Sequence, residues 1–340
     1  MKILIFNTAG IGDFIALVPW IYFLKKQKKC EVTLLVSDRS YEYAKICPYA
    51  DNVFYLKSNN NRINIFSFHN LKTILNLRNS YDFLINTYPS SRFFSKFLYG
   101  SAIRFVINKN NAANVFSADF KIENYYERYE DLFGKIGVFK ESFENILWFK
   151  ESSEDKIKKT LSEFKFKKIL GLVTAGNTLT KRWDKGKWVD LINRIDLKNE
   201  FLFLIFSDKK NYDYVKEIYE EAGKDNLIFF KDLSLEDWIC ALKKCDFLIS
   251  MDSAAMHIAS ILKIPSVIIN GPSDPQKIAP CFNRDIFKFI YKKVSCWPCD
   301  YYACPNKKED NMVCMGGITV EDVLKEFENI YEDSSNNNKA

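Results

Sequence analysis

The chain opens with an apolar run, Lys2 to Phe6, breaks at Asn7-Thr8-Ala9-Gly10-Ile11-Gly12-Asp13, and resumes with helical spacing to about Lys26 before a second apolar run, Glu31 to Ser37. This pattern predicts strand, helix, strand. The alternation continues through strands at Asn52 to Leu56, Tyr81 to Thr87 and Ile103 to Ile107, with helices near Arg39 to Ile46, Phe66 to Leu77 and Arg92 to Leu98. From Asn124 to Gly137 a Tyr- and Glu-rich helix leads into the charged stretch Glu141 to Phe164, whose only strand signal is Ile146 to Phe149. A domain junction is predicted there. The rhythm then restarts, with strands at Ile169 to Thr174, Phe201 to Phe206, Leu227 to Phe230, Phe247 to Ser250 and Ser266 to Asn270. Helices are predicted between them near Trp188 to Ile195, Asn211 to Ala222, Ser234 to Lys243 and Ala254 to Leu262.

Short apolar strands separated by helices predict an α/β protein whose parallel sheets are covered on both faces. Two such halves in series, residues 1–150 and 165–330, are expected to be Rossmann-like domains, followed by a disordered tail at 331–340. Strand C-terminal edges and helix N-termini would face an interdomain cleft, where ligands belong. A length of 340 residues agrees with two domains rather than one core.

Composition narrows the function. The longest apolar run, Phe14 to Leu24, has 11 residues and contains Pro19, against the roughly 20 needed to cross a bilayer. The start of the chain lacks the order of a signal peptide, so a cytoplasmic protein is expected. Residues 1–120 carry 15 Lys and Arg against 7 Asp and Glu, while the whole chain has a net charge of only +6. The basic front half, with Lys25-Lys26-Gln27-Lys28-Lys29, Arg62, Lys72, Arg78, Arg92 and Lys96, suits an anionic partner, although any one of these lysines reads equally as solvation or helix-dipole matching.

Gly10-Ile11-Gly12-Asp13 is not a dinucleotide fingerprint, because position 15 is Ile and no acid closes the next strand. That disfavours a nicotinamide oxidoreductase. A carboxylate at the helix start would repel a pyrophosphate, which leaves two readings: Asp13 as a helix cap, or Asp13 as a general base exposed by the flanking Gly10 and Gly12. The anion site should then lie in the second half. There Met251-Asp252-Ser253-Ala254-Ala255-Met256-His257 follows a strand and begins a helix, so that unpaired amides and the helix dipole favour a diphosphate without a metal. Asp252 read alone is a cap, and His257 read alone is a core histidine bonded to a carbonyl. Thr174-Ala175-Gly176-Asn177-Thr178 leaves the first strand of this half, and Lys181-Arg182-Trp183 follows. Gly176 and Asn177 offer amides, and Lys181 offers a point charge for a leaving diphosphate. The bland alternative is an exposed Lys181-Arg182 pair beside a packing tryptophan. Asn270-Gly271-Pro272-Ser273-Asp274-Pro275 reads as a rigid turn at the same edge.

The succession of KILI with G-x-G-D, then KRW after a glycine-containing loop, then D-S-x-x-M-H-x-A, G-P-S-D-P and a Cys-rich stretch resembles glycosyltransferase family 9, the ADP-heptose:lipopolysaccharide heptosyltransferases. The resemblance spans nearly the whole chain. It implies a GT-B fold, an inverting transfer without a metal, and a lipopolysaccharide core acceptor. It also implies Asp13 as base, Lys181 near the donor's phosphates and sugar, Ser253, Ala254 and Ala255 at the diphosphate, and Asp252 facing the donor sugar. Ala254 stands where the family usually has Gly. Asp208, after the strand FLIF, is the candidate for the nucleotide ribose.

Four of the nine cysteines fall as Cys296-x2-Cys299-x4-Cys304-x9-Cys314. In a reducing compartment such a set reads as a structural metal site or as packing thiols; no catalytic cofactor is expected. The expected function is heptose transfer from ADP-heptose to an anionic, lipid-linked core acceptor near the inner face of the cytoplasmic membrane, with nucleic acid excluded. Rival readings are another sugar or a protein acceptor, or, from other classes, an oxidoreductase or a metal-binding adaptor.

Overall fold

A computed structural model describes residues 1–59, 62–63, 67–77, 81–87, 115–119, 121–196, 200–299, 301–307 and 311–337. The chain forms two compact units, Met1–Trp148 and Phe149–Ala340. Among the described residues no helix is long and apolar enough to cross a membrane.

In the first unit, strands β1 (Lys2–Asn7), β2 (Glu31–Ser37) and β3 (Asn52–Leu56) are joined by helices α1 (Ile11–Gln27) and α2 (Asp38–Ala44). A two-stranded ribbon of β4 (Ser58–Asn59) and β5 (Arg62–Ile63) precedes α3 (Phe68–Asn76), after which β6 (Phe83–Asn86), β7 (Val115–Ser117) and α4 (Tyr125–Gly134) complete the unit. The five-stranded sheet runs β3-β2-β1-β6-β7, every pair parallel. Strand order reverses between β1 and β6, so the loop after β1 sits at a topological switch point. Helix α1 is apolar on nearly all sides, and from Phe14 to Leu24 only Tyr22 is not fully buried. It lies between the sheet and α4, where Trp20 stacks on Phe133 at 5.6 Å and meets Phe23 edge-on at 5.7 Å. Each such buried side chain contributes roughly 1.5–3 kcal/mol.

The second unit begins with α5 (Glu151–Leu161) and β8 (Lys168–Val173). It continues through α6 (Lys185–Asp196), β9 (Phe201–Ser207), α7 (Tyr212–Ala222), β10 (Leu227–Lys231), α8 (Leu235–Leu242), β11 (Phe247–Met251), α9 (Ala254–Leu262) and β12 (Ser266–Ile269). It ends with α10 (Pro275–Ile278), β13 (Phe287–Ile290), α11 (Val313–Gly316) and α12 (Val320–Asn337). Its six-stranded sheet is also wholly parallel, in the order β10-β9-β8-β11-β12-β13, with the reversal between β8 and β11. Trp183, Trp188, Phe203, Phe247 and Phe327 form the centre of its core.

Several expectations need correction. Ile146 to Phe149 is not a strand: no described residue pairs with it in a ladder, and Trp148 instead stacks on Tyr43 at 4.5 Å and donates its indole N–H to the Tyr43 carbonyl. The charged stretch after it contains α5, a helix with Ser153, Ile157 and Leu161 buried. The tail expected to be disordered is helical to Asn337, because Val323, Phe327 and Ile330 carry α12 onto the core of the second unit. Strands β7 and β13 are too short to stand out in the sequence. The helix at Arg92 to Leu98 and the strand at Ile103 to Ile107 lie outside the described residues.

Candidate active site

In the first unit the turn after β1 enters α1 with Gly10 as N-cap. The Gly10 carbonyl accepts the Phe14 N–H at 3.1 Å, and the Gly10 N–H donates to Asp13 Oδ2 at 3.0 Å. Asp13 therefore does cap the helix, from the third position rather than the first. A Cβ on Gly10 would lie 3.3 Å from that oxygen, a tight contact that the Asp13 side chain would have to shift slightly to accept. Asp13 remains partly exposed, so the capping bond does not exclude a reaction with an incoming hydroxyl. Three residues that the sequence pattern does not single out brace this turn. The Ala9 carbonyl accepts Ser37 Oγ at 3.1 Å and Arg39 Nη2 at 3.4 Å. Tyr129 Oη donates to the Asp13 carbonyl oxygen at 3.3 Å. Burial, and after it the Asp13 charge, pushes the Tyr129 hydroxyl well above its ordinary pKa, so it stays a donor. The signal for Tyr129 was the inward spacing of Tyr126, Tyr129, Leu132 and Phe133 on α4.

In the second unit the loops after β8, β11 and β12 come from three adjacent strands. The Gly176 N–H donates to the Lys181 carbonyl at 2.8 Å, and Ala175 bridges to Arg182, so the Lys181 turn folds back over the end of β8. A Cβ on Gly176 would fall 2.6 Å from Lys181 Cβ and 3.1 Å from the Asp252 carbonyl. Only glycine lets the turn close onto the β11 loop. Lys181 Nζ then meets Asp252 Oδ2 at 2.5 Å. Burial raises the Asp252 carboxyl, but the Lys181 ammonium and hydrogen bonds from Lys181 and Ser273 outweigh it and hold the group below the usual carboxylate range. His257, on α9 just beyond Asp252, is lowered to about 4 by desolvation, with Lys181 adding to the effect and Asp252 opposing it. At neutral pH this cluster is one ammonium, one carboxylate and a neutral imidazole.

The N-cap of α9 is Ser253, not Asp252: Ser253 Oγ accepts the Ala255 N–H at 3.3 Å. The Met256 N–H bonds to the Ser253 carbonyl at 3.2 Å, so two of the amides expected to be unpaired have partners within the turn. Ala254 and Ser253 are partly exposed and Ala255 is buried. Asn177 is exposed; its carbonyl accepts Lys210 Nζ, which also lies 4.9 Å from the centre of the Tyr302 ring. Asp208 uses Oδ1 for the Asn211 N–H at 2.8 Å and Asn211 Nδ2 at 2.9 Å. Asn211 in turn accepts Arg182 Nη2 at 2.7 Å. Lys181 and Arg182 thus diverge, and Trp183 is buried with its indole N–H on the Ile318 carbonyl at 3.1 Å.

Cys296, Cys299, Cys304 and Cys314 line one small cavity with Pro272 and Met312. All four are free thiols, and among the described residues no group of three or more His, Cys, Asp or Glu side chains is arranged to hold a metal ion. The spacing brings the thiols into one cavity without converging them as ligands. Cys304 Sγ accepts the Met312 N–H at 3.4 Å and Cys296 Sγ accepts Asn306 Nδ2 at 3.6 Å. The segment also braces the site: the Leu179 N–H donates to the Tyr302 carbonyl at 2.9 Å, Thr180 Oγ1 to the Tyr301 carbonyl at 2.6 Å, and the Cys299 N–H to the Pro272 carbonyl at 3.0 Å.

Two Rossmann-like units in series, each with a loop of candidate site residues at its switch point, define an α/β enzyme of the GT-B glycosyltransferase class. The chain matches the model of glycosyltransferase family 9 (heptosyltransferase) over residues 110–309 and belongs to that family. It is 28% identical over 362 aligned positions to the lipopolysaccharide heptosyltransferase 1 of Campylobacter coli, covering 98% of this chain and 100% of that one. Among solved structures it is similar to the glycosyl transferase family 9 protein of Veillonella parvula, with a TM-score of 0.77 at 17% identity over 98% of this chain and 97% of that one. The E. coli ADP-heptose lps heptosyltransferase II gives a TM-score of 0.70 at 16% identity over 98% and 100%.

Proposed function

We propose that the protein is an inverting, metal-independent heptosyltransferase that moves a heptose from ADP-heptose to a phosphorylated, lipid-linked lipopolysaccharide core sugar, on the cytoplasmic side of the membrane. The observation that carries this reading is the Lys181 to Asp252 pair at the start of α9, 2.5 Å apart and in contact with Ser273. An ammonium there matches the charge that develops on a departing diphosphate, and the helix dipole adds to it. The names of the relatives supply the sugar: the similar E. coli protein is an ADP-heptose lps heptosyltransferase II.

In this reading the acceptor hydroxyl oxygen attacks the anomeric carbon from the face opposite the diphosphate. Asp13 takes the hydroxyl proton as the new C–O bond forms. The bond from the anomeric carbon to the phosphate oxygen breaks, and ADP leaves with its negative charge met by Lys181 and the amides at Ser253 and Ala254. Asp252, kept ionised by Lys181, accepts hydrogen bonds from donor sugar hydroxyls; Gly176 and Asn177 line the nucleotide side and Asp208 faces the ribose. His257, neutral, supplies a hydrogen bond without competing for the anion. The test is a mass-spectrometric transfer assay with ADP-heptose and a phosphorylated core glycolipid, run with a panel of other nucleotide sugars and with EDTA. The expected result is addition of one heptose with the opposite anomeric configuration, unchanged by EDTA. Transfer only from another sugar nucleotide, or an absolute need for Mg²⁺, would overturn it.

A further inference from the structure

Helix α3 carries a surface feature that the transfer chemistry does not use. Its inward side is Asn70, Thr73 and Ile74, all buried. Asn70 fastens it to the segment after β3, accepting the Lys57 N–H at 2.7 Å and donating to the Lys57 carbonyl at 2.9 Å. Its outward side is Phe68, Leu71 and Leu75, which are 82%, 52% and 52% exposed. Their spacing places all three along one stripe of the helix. Scattered exposed apolar residues are ordinary, but a contiguous stripe turned to solvent marks a contact surface.

The charges around the stripe indicate what it contacts. Lys72 is exposed within α3, Lys57 is exposed at its foot, and the helix contains no Asp or Glu. Among the described residues from 57 to 87, Lys57, Arg62 and Lys72 stand against a single acid, Asp82. An apolar stripe bordered by cations is the pattern of an interfacial helix, whose apolar side chains enter the headgroup boundary while its ammonium groups meet anionic lipid. Lysine stems can lie along the apolar surface and still keep their charge in the headgroup layer. A second copy of the chain would bring the same cations to the same face, so charge disfavours self-association there.

We propose that the outer face of α3, Phe68, Leu71 and Leu75 with Lys72, docks the first unit onto an anionic phospholipid bilayer. The inference rests on the proposed function, in which the acceptor is lipid-linked, and it identifies the surface that brings the enzyme to such an acceptor. The test is co-sedimentation of the full chain with phosphatidylcholine vesicles, with and without phosphatidylglycerol. Wild type is expected to bind the phosphatidylglycerol vesicles and to lose binding in high salt. Phe68→Ser/Leu71→Ser/Leu75→Ser should weaken binding at least about tenfold, and Lys72→Ala about fivefold, with melting temperatures unchanged because these side chains are exposed. Equal binding by wild type and the triple variant would overturn the proposal, as would no binding by wild type to either vesicle. A wild-type dimer that the triple variant converts to monomer would assign the face to self-association instead. Transfer to a delipidated, soluble core acceptor separates docking from chemistry. If no heptose is transferred to any acceptor while vesicle binding still follows α3, docking stands and the transferase reading falls. Normal transfer with vesicle binding indifferent to α3 means the reverse: the transferase stands and docking falls.

Discussion

Each unit places a helix N-terminus at the switch point of its parallel sheet, α1 after the first strand β1 and α9 after the fourth strand β11, and the two treat it in opposite ways. After β1, the third residue of α1 is Asp13, whose carboxylate already accepts the Gly10 N–H. A phosphate arriving there would meet a negative charge. After β11 the first turn of α9 is Ser253, Ala254 and Ala255, without charge, and the acid one residue earlier, Asp252, is neutralised by Lys181. One architecture therefore yields a proton acceptor or an anion receptor according to where a single carboxylate stands and whether a cation meets it. The backbone supplies the position, and the side chains at two or three residues choose the chemistry.

The largest expected effect comes from removing the charge on the first side of this contrast. Asn at position 13 retains an oxygen for the Gly10 N–H, so Asp13→Asn should keep the helix cap and the fold, while losing ~10²–10⁴ in kcat if the carboxylate is the base. The donor's stabilisation of the protein against heat should be unchanged, because the donor is assigned to the second unit. A kcat within tenfold of wild type would leave Asp13 as a cap and nothing more. Asp13→Ala adds a second reading of the same residue, since loss of a cap costs about 0.5–2 kcal/mol of stability.

The next effect breaks the second side. Lys181→Ala removes the charge assigned to the leaving diphosphate, and loss of one such group typically lowers kcat by about 10²–10³. It also strands Asp252, which is 6% exposed, and a one-sided loss of a buried pair costs roughly 3–5 kcal/mol. The double variant Lys181→Ala/Asp252→Asn separates the two: stability should return towards wild type while turnover does not. Recovery of both would make the pair structural only. Gly176→Ala should resemble Lys181→Ala in turnover, because its new Cβ would fall 2.6 Å from Lys181 Cβ and displace the turn.

Much of this contrast was legible in the sequence, and the reason is local. Strands such as Phe201–Ser207 are buried along their whole length, so they read as unbroken apolar runs, and Gly10, Gly176 and the Ser253 turn announce themselves as loops between such runs and helices. What was not legible is whatever long-range contacts decide. Tyr129 reaches Asp13 across 116 positions, and Tyr301 and Tyr302 reach the Lys181 turn across more than a hundred. The spacing on α4 marks Tyr129 as inward-facing but not what it reaches, and Tyr301 and Tyr302 have no distinguishing local pattern. The cysteines show the opposite failure: their spacing resembles a metal motif, yet in the folded chain they share a cavity with Pro272 and Met312 and hold the turns beside it rather than forming a ligand set.

The smallest expected effect sharpens the electrostatic side of the contrast through pH. His257 in the folded protein is lowered to about 4 from 6.5, so between those values the unfolded chain binds a proton that the folded chain refuses. Where the unfolded state binds more protons, stability rises with pH. His257 thus contributes stability that is fully present above its unfolded pKa and is lost as pH falls towards its folded one. Asp252, also lowered, acts in the same direction at more acid pH, since its contribution is present above the unfolded carboxylate value and disappears as pH falls through the folded value. Melting temperature is therefore expected to drop on acidification from about pH 7 to about pH 5, and His257→Asn should flatten that slope while leaving the first unit's Asp13 chemistry untouched. An equal slope in the variant would mean that His257 titrates alike in both states, and that the neutral imidazole beside Lys181 and Asp252 is not part of what distinguishes the anion-receiving helix from its counterpart.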